Sequence, residues 1–294
     1  MIRLPITEHA LLDRIEIVHP GWSARARERT QQSRTAGEYA EASSIWGEIK
    51  SVYMRLQSDK CAYCERLLSD GSIEHDLEHY RPKRGVAAWP PLASDLSYPF
   101  PKGDPLPEGY YLLAYHPLNY ATVCKPCNTN FKSNYFPVAG SRVTRGATPA
   151  DYSAEMPYLL YPIGDSDGDP EAILSFIGIV PVPNPAADKS QKRRARVVID
   201  FFRLETREDL RRERAVALCS IDMCHRALRS GAVADEADKK AASADLAHYI
   251  SPSAPHANCA RCFDRLYRVN PNEARAIARE ARLYLEAQRT SSQR

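Results

Sequence analysis

Apolar positions along the chain fall into distinct textures. Over 36–56, "AGEYAEASSIWGEIKSVYMRL", Tyr39, Ile45, Trp46, Ile49, Tyr53 and Leu56 recur at helical spacing and predict a helix. From 84 to 115 that period dissolves into Pro, Gly and aromatics, "AAWPPLASDLSYPFPKGDPLPEGYY", which predicts a long inserted loop. The stretch 157–183, "PYLLYPIGDSDGDPEAILSFIGIVPVP", reads as short strands punctuated by Pro and Gly. From 190 the text is helical: "SQKRRARVVIDFFRL", then a helix capped by Thr206, another across 233–249 and a last across 271–288. The expected fold class is α+β. Its expected segments are an N-terminal helical part (1–58), a core (59–140) interrupted by the 84–115 loop, short strands and loops (141–188), and a C-terminal helical region (189–294). No internal repeat at a 20–50-residue period is found.

Composition narrows the class. With 44% apolar residues in 294, the chain can bury a real core. A net charge of +3 permits a polyanionic partner without demanding one. The N-terminal "MIRLPITEHALLDRIEIVHPGW" carries charges through its apolar run, so it is not read as a signal peptide, and no stretch is apolar enough to span a membrane. A cytoplasmic location is the expectation.

The eight cysteines form two sets. Cys61, Cys64, Cys124 and Cys127 make two C-x-x-C pairs, in "CAYCE" and "CKPCN". Two such knuckles present four thiolates tetrahedrally, which suits structural Zn²⁺ and leaves no position for water. One pair alone would leave redox chemistry or simple burial open; two pairs flanking polar, ligand-rich text favour zinc. Cys219, Cys224, Cys259 and Cys262 are poorly spaced for a second site and read as buried thiols, although Cys259 and Cys262 have knuckle spacing.

Between the knuckles, "SIEHDLEHYRPK" (72–83) holds the dipeptide Glu-His twice. Its alternation predicts a strand ending at the proline. "HPLNYATVC" predicts a second strand, and "CNTNFKSN" starts a helix. The result is a strand–strand–helix unit clipped at its base by zinc.

This unit resembles the HNH endonucleases, whose ββα-metal, treble-clef-like finger reads C-x-x-C, acid-His, a central Asn, then C-x-x-C-Asn. "KCAYCE", "EHYRPK", "YYLLAYHPLNY" and "CNTNFKSNYFP" resemble the branch found in bacterial anti-phage systems. That branch includes the Septu and retron-associated nucleases encoded beside an ATPase. The likeness runs over about 45–210 and is most specific in the finger. It implies a magnesium- or manganese-dependent nuclease in which His79 is the general base and Glu78 and Asn128 are the metal ligands. Asn119 is expected to hold the His79 ring, and Lys83, Lys125 and Lys132 to grip flanking phosphates. Family spacing places the acid-His pair directly before "YRPK", selecting Glu78-His79; Glu74-His75 and Asp76 are then a short solvated insertion. Departures are His116 in "HPLNY", read as filler, and the proline-rich insertion at 84–109.

The resemblance implies DNA as substrate, with RNA an open alternative, together with an ATPase partner and a role in antiviral defence. A homo-oligomer is the other assembly considered, because "VVIDFFRL" and "EARAIAREARLYLEA" offer more apolar stripe than one finger needs. The competing function is a zinc-stabilised nucleic-acid or protein-binding module without catalysis. Two weaker signals are read blandly or left balanced. "DSDGD" (165–169) lacks a calcium-loop glutamate and reads as a turn. The basic text at 189–196 and 203–214 fits a solvated helix face and phosphate contact equally.

Overall fold

Thr7 starts the first helix: its hydroxyl accepts the Ala10 amide at 3.2 Å, and α1 runs Glu8–Val18 with Leu11 and Ile15 buried one turn apart. The computed structural model describes residues 1–39, 44–69, 73–229 and 235–291. Helix α2 (Trp22–Ala36) ends at Gly37, whose left-handed backbone stops it. The helix expected over 36–56 is therefore shorter. A 3-10 turn over Ile45–Ile49 leads into α3 (Lys50–Leu56), and 40–43 lie outside the described residues.

The expected hairpin forms. Strand β1 (His75–His79) pairs antiparallel with β2 (Tyr120–Cys124), setting His75 opposite Cys124 and His79 opposite Tyr120. Both histidines thus belong to one paired strand; Glu74 stands exposed just ahead of it, and His75 and Asp76 are half-buried on it. A helical turn over Pro126–Lys132, wound at π pitch, follows β2. The segment 84–115 is mostly irregular but not loose. Val86 bridges Leu106, Ala87 bridges Tyr135, and the run from Tyr110 to Tyr115 is buried. Gly109 is required there, because at φ +64° a Cβ would lie 2.1 Å from the Arg84 carbonyl oxygen.

A second sheet pairs β3 (Leu174–Ile177) with β4 (Val180–Pro183), entered from the short α4 (Pro170–Ile173). An Asp188/Gln191 capping box then starts α5 (Lys189–Phe201). Four helices close the chain: α6 (Glu208–Arg229), α7 (Glu236–Tyr249), α8 (Ala257–Val269) and α9 (Pro271–Ser291). Of the helix expected over 233–249, positions 233–234 lie outside the described residues. Helix α8 was hidden by its C-x-x-C text: Cys259 and Cys262 sit on one helical turn, and Ala260, Phe263 and Tyr267 form its buried stripe.

One apolar cluster draws on residues from Met1 to Leu210, and a second fills the interior of α6–α9. The first knuckle belongs to the first cluster and is pinned from two sides. Tyr63 stacks on Phe202 with centroids 4.3 Å apart, and the Lys60 ammonium donates to the Pro252 and Ala254 carbonyls at 2.6 and 2.9 Å. Among the described residues, no helix is long and apolar enough to cross a membrane.

Candidate metal centre and hairpin site

The first knuckle closes by local hydrogen bonds, the Cys61 amide to Arg66 O at 2.9 Å and the Glu65 amide to Cys61 O at 3.0 Å. Glu65 turns the chain with φ 61°, and the Ala62 amide ties the knuckle to Thr122 O on β2. The second knuckle spans the end of β2 and the first residues of the π turn. All four thiols, of Cys61, Cys64, Cys124 and Cys127, are free and buried, with their sulfurs within 4.8 Å of one another. Cys64 Sγ and Cys124 Sγ lie 3.7 Å apart. A tetrahedron of Zn–S bonds of about 2.3 Å has an edge of about 3.8 Å, so the cluster can hold a metal ion such as zinc. Hydrogen bonds from Cys127, Cys61 and Cys64 draw the Cys124 thiol far below its ordinary range, while burial pushes Cys61 and Cys127 up, so Cys124 is the thiol that loses its proton first. Arg207, just ahead of α6, donates to Cys127 Sγ at 3.4 Å and offsets this negative charge.

Above that base the hairpin sorts its polar residues by face. His79 is buried, and its Nε2 lies 2.9 Å from Ala114 O. A carbonyl only accepts, so Nε2 carries the proton and Nδ1 keeps its lone pair, with no hydrogen bond to any described residue. Trp46 and Tyr120 meet the ring edge-on at 4.8 and 5.0 Å. Burial, with Lys83 nearby, holds the imidazole well below its ordinary pKa, hence neutral.

Asn119 does not bond the His79 ring as expected. Its Oδ1 accepts the Arg81 amide at 2.8 Å, and its Nδ2 donates to Arg81 O at 3.1 Å and Leu113 O at 3.0 Å. Both ends of the amide are thereby used on backbone. It braces the segment next to Ala114, and so reaches the ring only through the chain.

Glu78 and Asn128 are brought to the same side of the hairpin but engage different partners. Glu78 Oε1 accepts from Lys132 Nζ at 3.1 Å, while Asn128 Nδ2 donates to Asp76 Oδ2 at 2.8 Å. Lys132 is fully buried and therefore no surface phosphate contact. Burial raises the Glu78 carboxyl pKa and lowers that of the Lys132 ammonium, each partly offset by the other's charge. The π pitch carries Lys132 inward, since one extra residue per turn rotates the helix end. Lys125 is half-exposed, 3.6 Å from Asp76 Oδ2, and Lys83 lies over the Trp46 ring at 4.6 Å. Strand alternation with Glu78 was the signal for Asp76. Ala114 and Arg207 left none, because they act through a backbone oxygen and across eighty positions of chain.

The remaining motifs are structural. Asp167 of "DSDGD" clamps Arg194 at 2.8 and 2.7 Å, and Asp169 caps α4. Within the basic text, Arg194, Arg196 and Arg207 pair with Asp167, Asp200 and Asp209, and Arg214 is buried on the Leu204 and Ile179 carbonyls. Of the second cysteine set, Cys259 Sγ donates to Gly178 O and Cys262 Sγ to Asn258 Oδ1. Among the described residues, the first cysteine set is the one group of three or more His, Cys, Asp or Glu side chains close enough together to share a metal. No family model matches the chain, and neither does any curated protein or solved structure.

Proposed function

We propose that the protein is a metal-dependent endonuclease of the HNH type. The observation that carries the reading is the His79 tautomer: Nε2–H is spent on Ala114 O, and a neutral Nδ1 remains to accept a proton. Glu78, the neighbour of His79 in sequence, and Asn128 offer oxygen donors that fit a hard cation. Glu78 Oε2 and Asn128 Oδ1 make no hydrogen bond to a described residue, and carboxylate with amide oxygen is Mg²⁺ or Mn²⁺ chemistry. Such a cation, when bound, neutralises charge on the phosphate and the leaving oxygen.

His79 takes a proton from water as the water oxygen bonds to phosphorus. The bond from phosphorus to the 3′ oxygen breaks, leaving a 5′-phosphate and a 3′-hydroxyl. Asn119 keeps the Arg81 and Leu113 backbone in register and so holds the carbonyl that aims the ring. Lys125 and Lys83 are the cations left nearest to meet flanking phosphates. The substrate is DNA, with RNA tested alongside. The motif likeness makes the chain the nuclease effector of an anti-phage system, working with a partner ATPase.

The second reading, a zinc-stabilised binding module without catalysis, draws on one observation: Glu78 is already neutralised by Lys132. Plasmid and oligonucleotide cleavage with Mg²⁺ or Mn²⁺, with and without a candidate partner ATPase, separates them. The nuclease cuts, and His79→Ala loses the cutting while keeping nucleic-acid binding. Tight binding with no cleavage under any condition gives the case to the module.

A further inference from the structure

Asn128 can serve a cation only through Oδ1, because its Nδ2 is a donor. Rotation about its last side-chain bond exchanges the two, so a neighbour must decide which end faces the site. Asp76 is that neighbour. Its carboxylate oxygen Oδ2 lies 2.8 Å from the Asn128 amide, and an ionised carboxylate can only accept. The NH₂ end must therefore face Asp76, and Oδ1 is turned away with no hydrogen bond to a described residue. The same Asp76 oxygen lies 3.6 Å from Lys125 Nζ, a second donor on the same carboxylate. Asp76 stands opposite Val123 and Glu78 opposite Ala121, two steps apart on one face of β1.

Resting on the nuclease reading, we propose that Asp76 is a positioning residue: by taking the Nδ2–H of Asn128 it presents Asn128 Oδ1 to the divalent cation. Asp76 itself is not a ligand in this arrangement, and the Lys132 partner of Glu78 is not a partner of Asp76. An aspartate at 128 has two equivalent oxygens and needs no orientation, which makes the role separable from simple charge.

The test is Mn²⁺ binding to the full chain, followed by the paramagnetic resonance signal of free Mn²⁺, with zinc content measured on the same samples. Asp76→Ala should weaken Mn²⁺ binding about 10- to 100-fold and leave zinc content unchanged. In an Asn128→Asp background the same substitution should cost less than about 3-fold, because the carboxylate is already competent. Should the alanine variant lose zinc, Asp76→Val, β-branched and unable to accept, repeats the measurement. Equal losses in both backgrounds would make Asp76 a ligand or a mere charge and overturn the proposal, as would no loss in Asp76→Ala. The predicted pattern in a protein that cleaves nothing supports the inference while removing the nuclease reading.

Discussion

The two sets of four cysteines show what spacing alone is worth. Each contains a C-x-x-C pair. In the first, Cys61 and Cys64 meet Cys124 and Cys127 because the β1–β2 hairpin folds sixty residues of chain back on itself, and the four sulfurs converge. In the second, Cys219 and Cys224 lie on α6 and Cys259 and Cys262 on α8, where Cys259 and Cys262 each settle against a neighbour of their own. A knuckle needs a tight turn that aims both sulfurs at one point, and a helix splays them. The histidines repeat the contrast. His225 is closed in, its Nε2 2.8 Å from Asp264 and its ring stacked on Tyr267 at 4.1 Å. His79 has one nitrogen anchored and the other unspent.

Replacing one cysteine from each set tests the contrast most severely. Wild-type protein should carry about one zinc per chain by elemental analysis, and Cys124→Ser none, with several kcal/mol of stability lost. Cys262→Ser should change zinc content not at all and stability by less than about 1 kcal/mol. Equal effects would mean that the second set is a metal site after all.

The histidine pair comes next. His79→Ala should slow cleavage about 10²- to 10⁴-fold with binding intact, and His75→Ala should keep most of the rate. His225→Ala should instead lower the denaturation midpoint, by about 1–3 kcal/mol, because Asp264 loses a buried partner, and leave the rate per folded molecule alone. A rate loss in His225→Ala matching that of His79→Ala would erase the distinction.

A third comparison sharpens the role of Lys132. Lys132→Met leaves Glu78 without its counter-charge and should destabilise the protein by about 3–5 kcal/mol, most of it recovered in the Glu78→Gln/Lys132→Met double variant. A phosphate-gripping lysine would do the reverse: stability unchanged, nucleic-acid affinity and its salt dependence reduced. That outcome would return Lys132 to the surface role its sequence position suggested.

The smallest effect is a pH slope. His116, read from the sequence as filler, is pushed down to about 4 by burial, and its Nδ1 accepts the Leu118 amide at 3.2 Å. The unfolded chain, with an ordinary imidazole near 6.5, binds that proton first. His116 therefore contributes stability above about pH 6.5 that is lost as the pH falls toward 4, at up to about 1.4 kcal/mol per unit. Denaturation midpoints at pH 7 and pH 5 should differ less in His116→Asn, whose side-chain oxygen can still accept from Leu118.

The legible part of this protein was local. Paired knuckles, alternation in "EHDLEH", and the proline after it are patterns over a few residues, and they sufficed for the hairpin, the thiolate cluster and an α+β mixture. Asn119 and Lys132 were found as residues but assigned the wrong partners, and the hydrogen bond of Asn128 to Asp76 was not foreseen. A sequence names side chains, whereas the groups that engage these are Ala114 O, the backbone of Arg81 and Leu113, and Asp76, reached from distant turns. Cys259 and Cys262, read as thiols outside a metal site, lie on α8 as that reading requires, although C-x-x-C is compatible with both a turn and a helix until packing chooses. The sequence by itself determined which donors exist and the short-range geometry of each strand and knuckle. Only the tertiary structure decided which face was buried, which lysine turned inward to Glu78, and which nitrogen of His79 stayed unspent. Those choices depend on burial and on backbone oxygens, and residue identity does not encode either one locally.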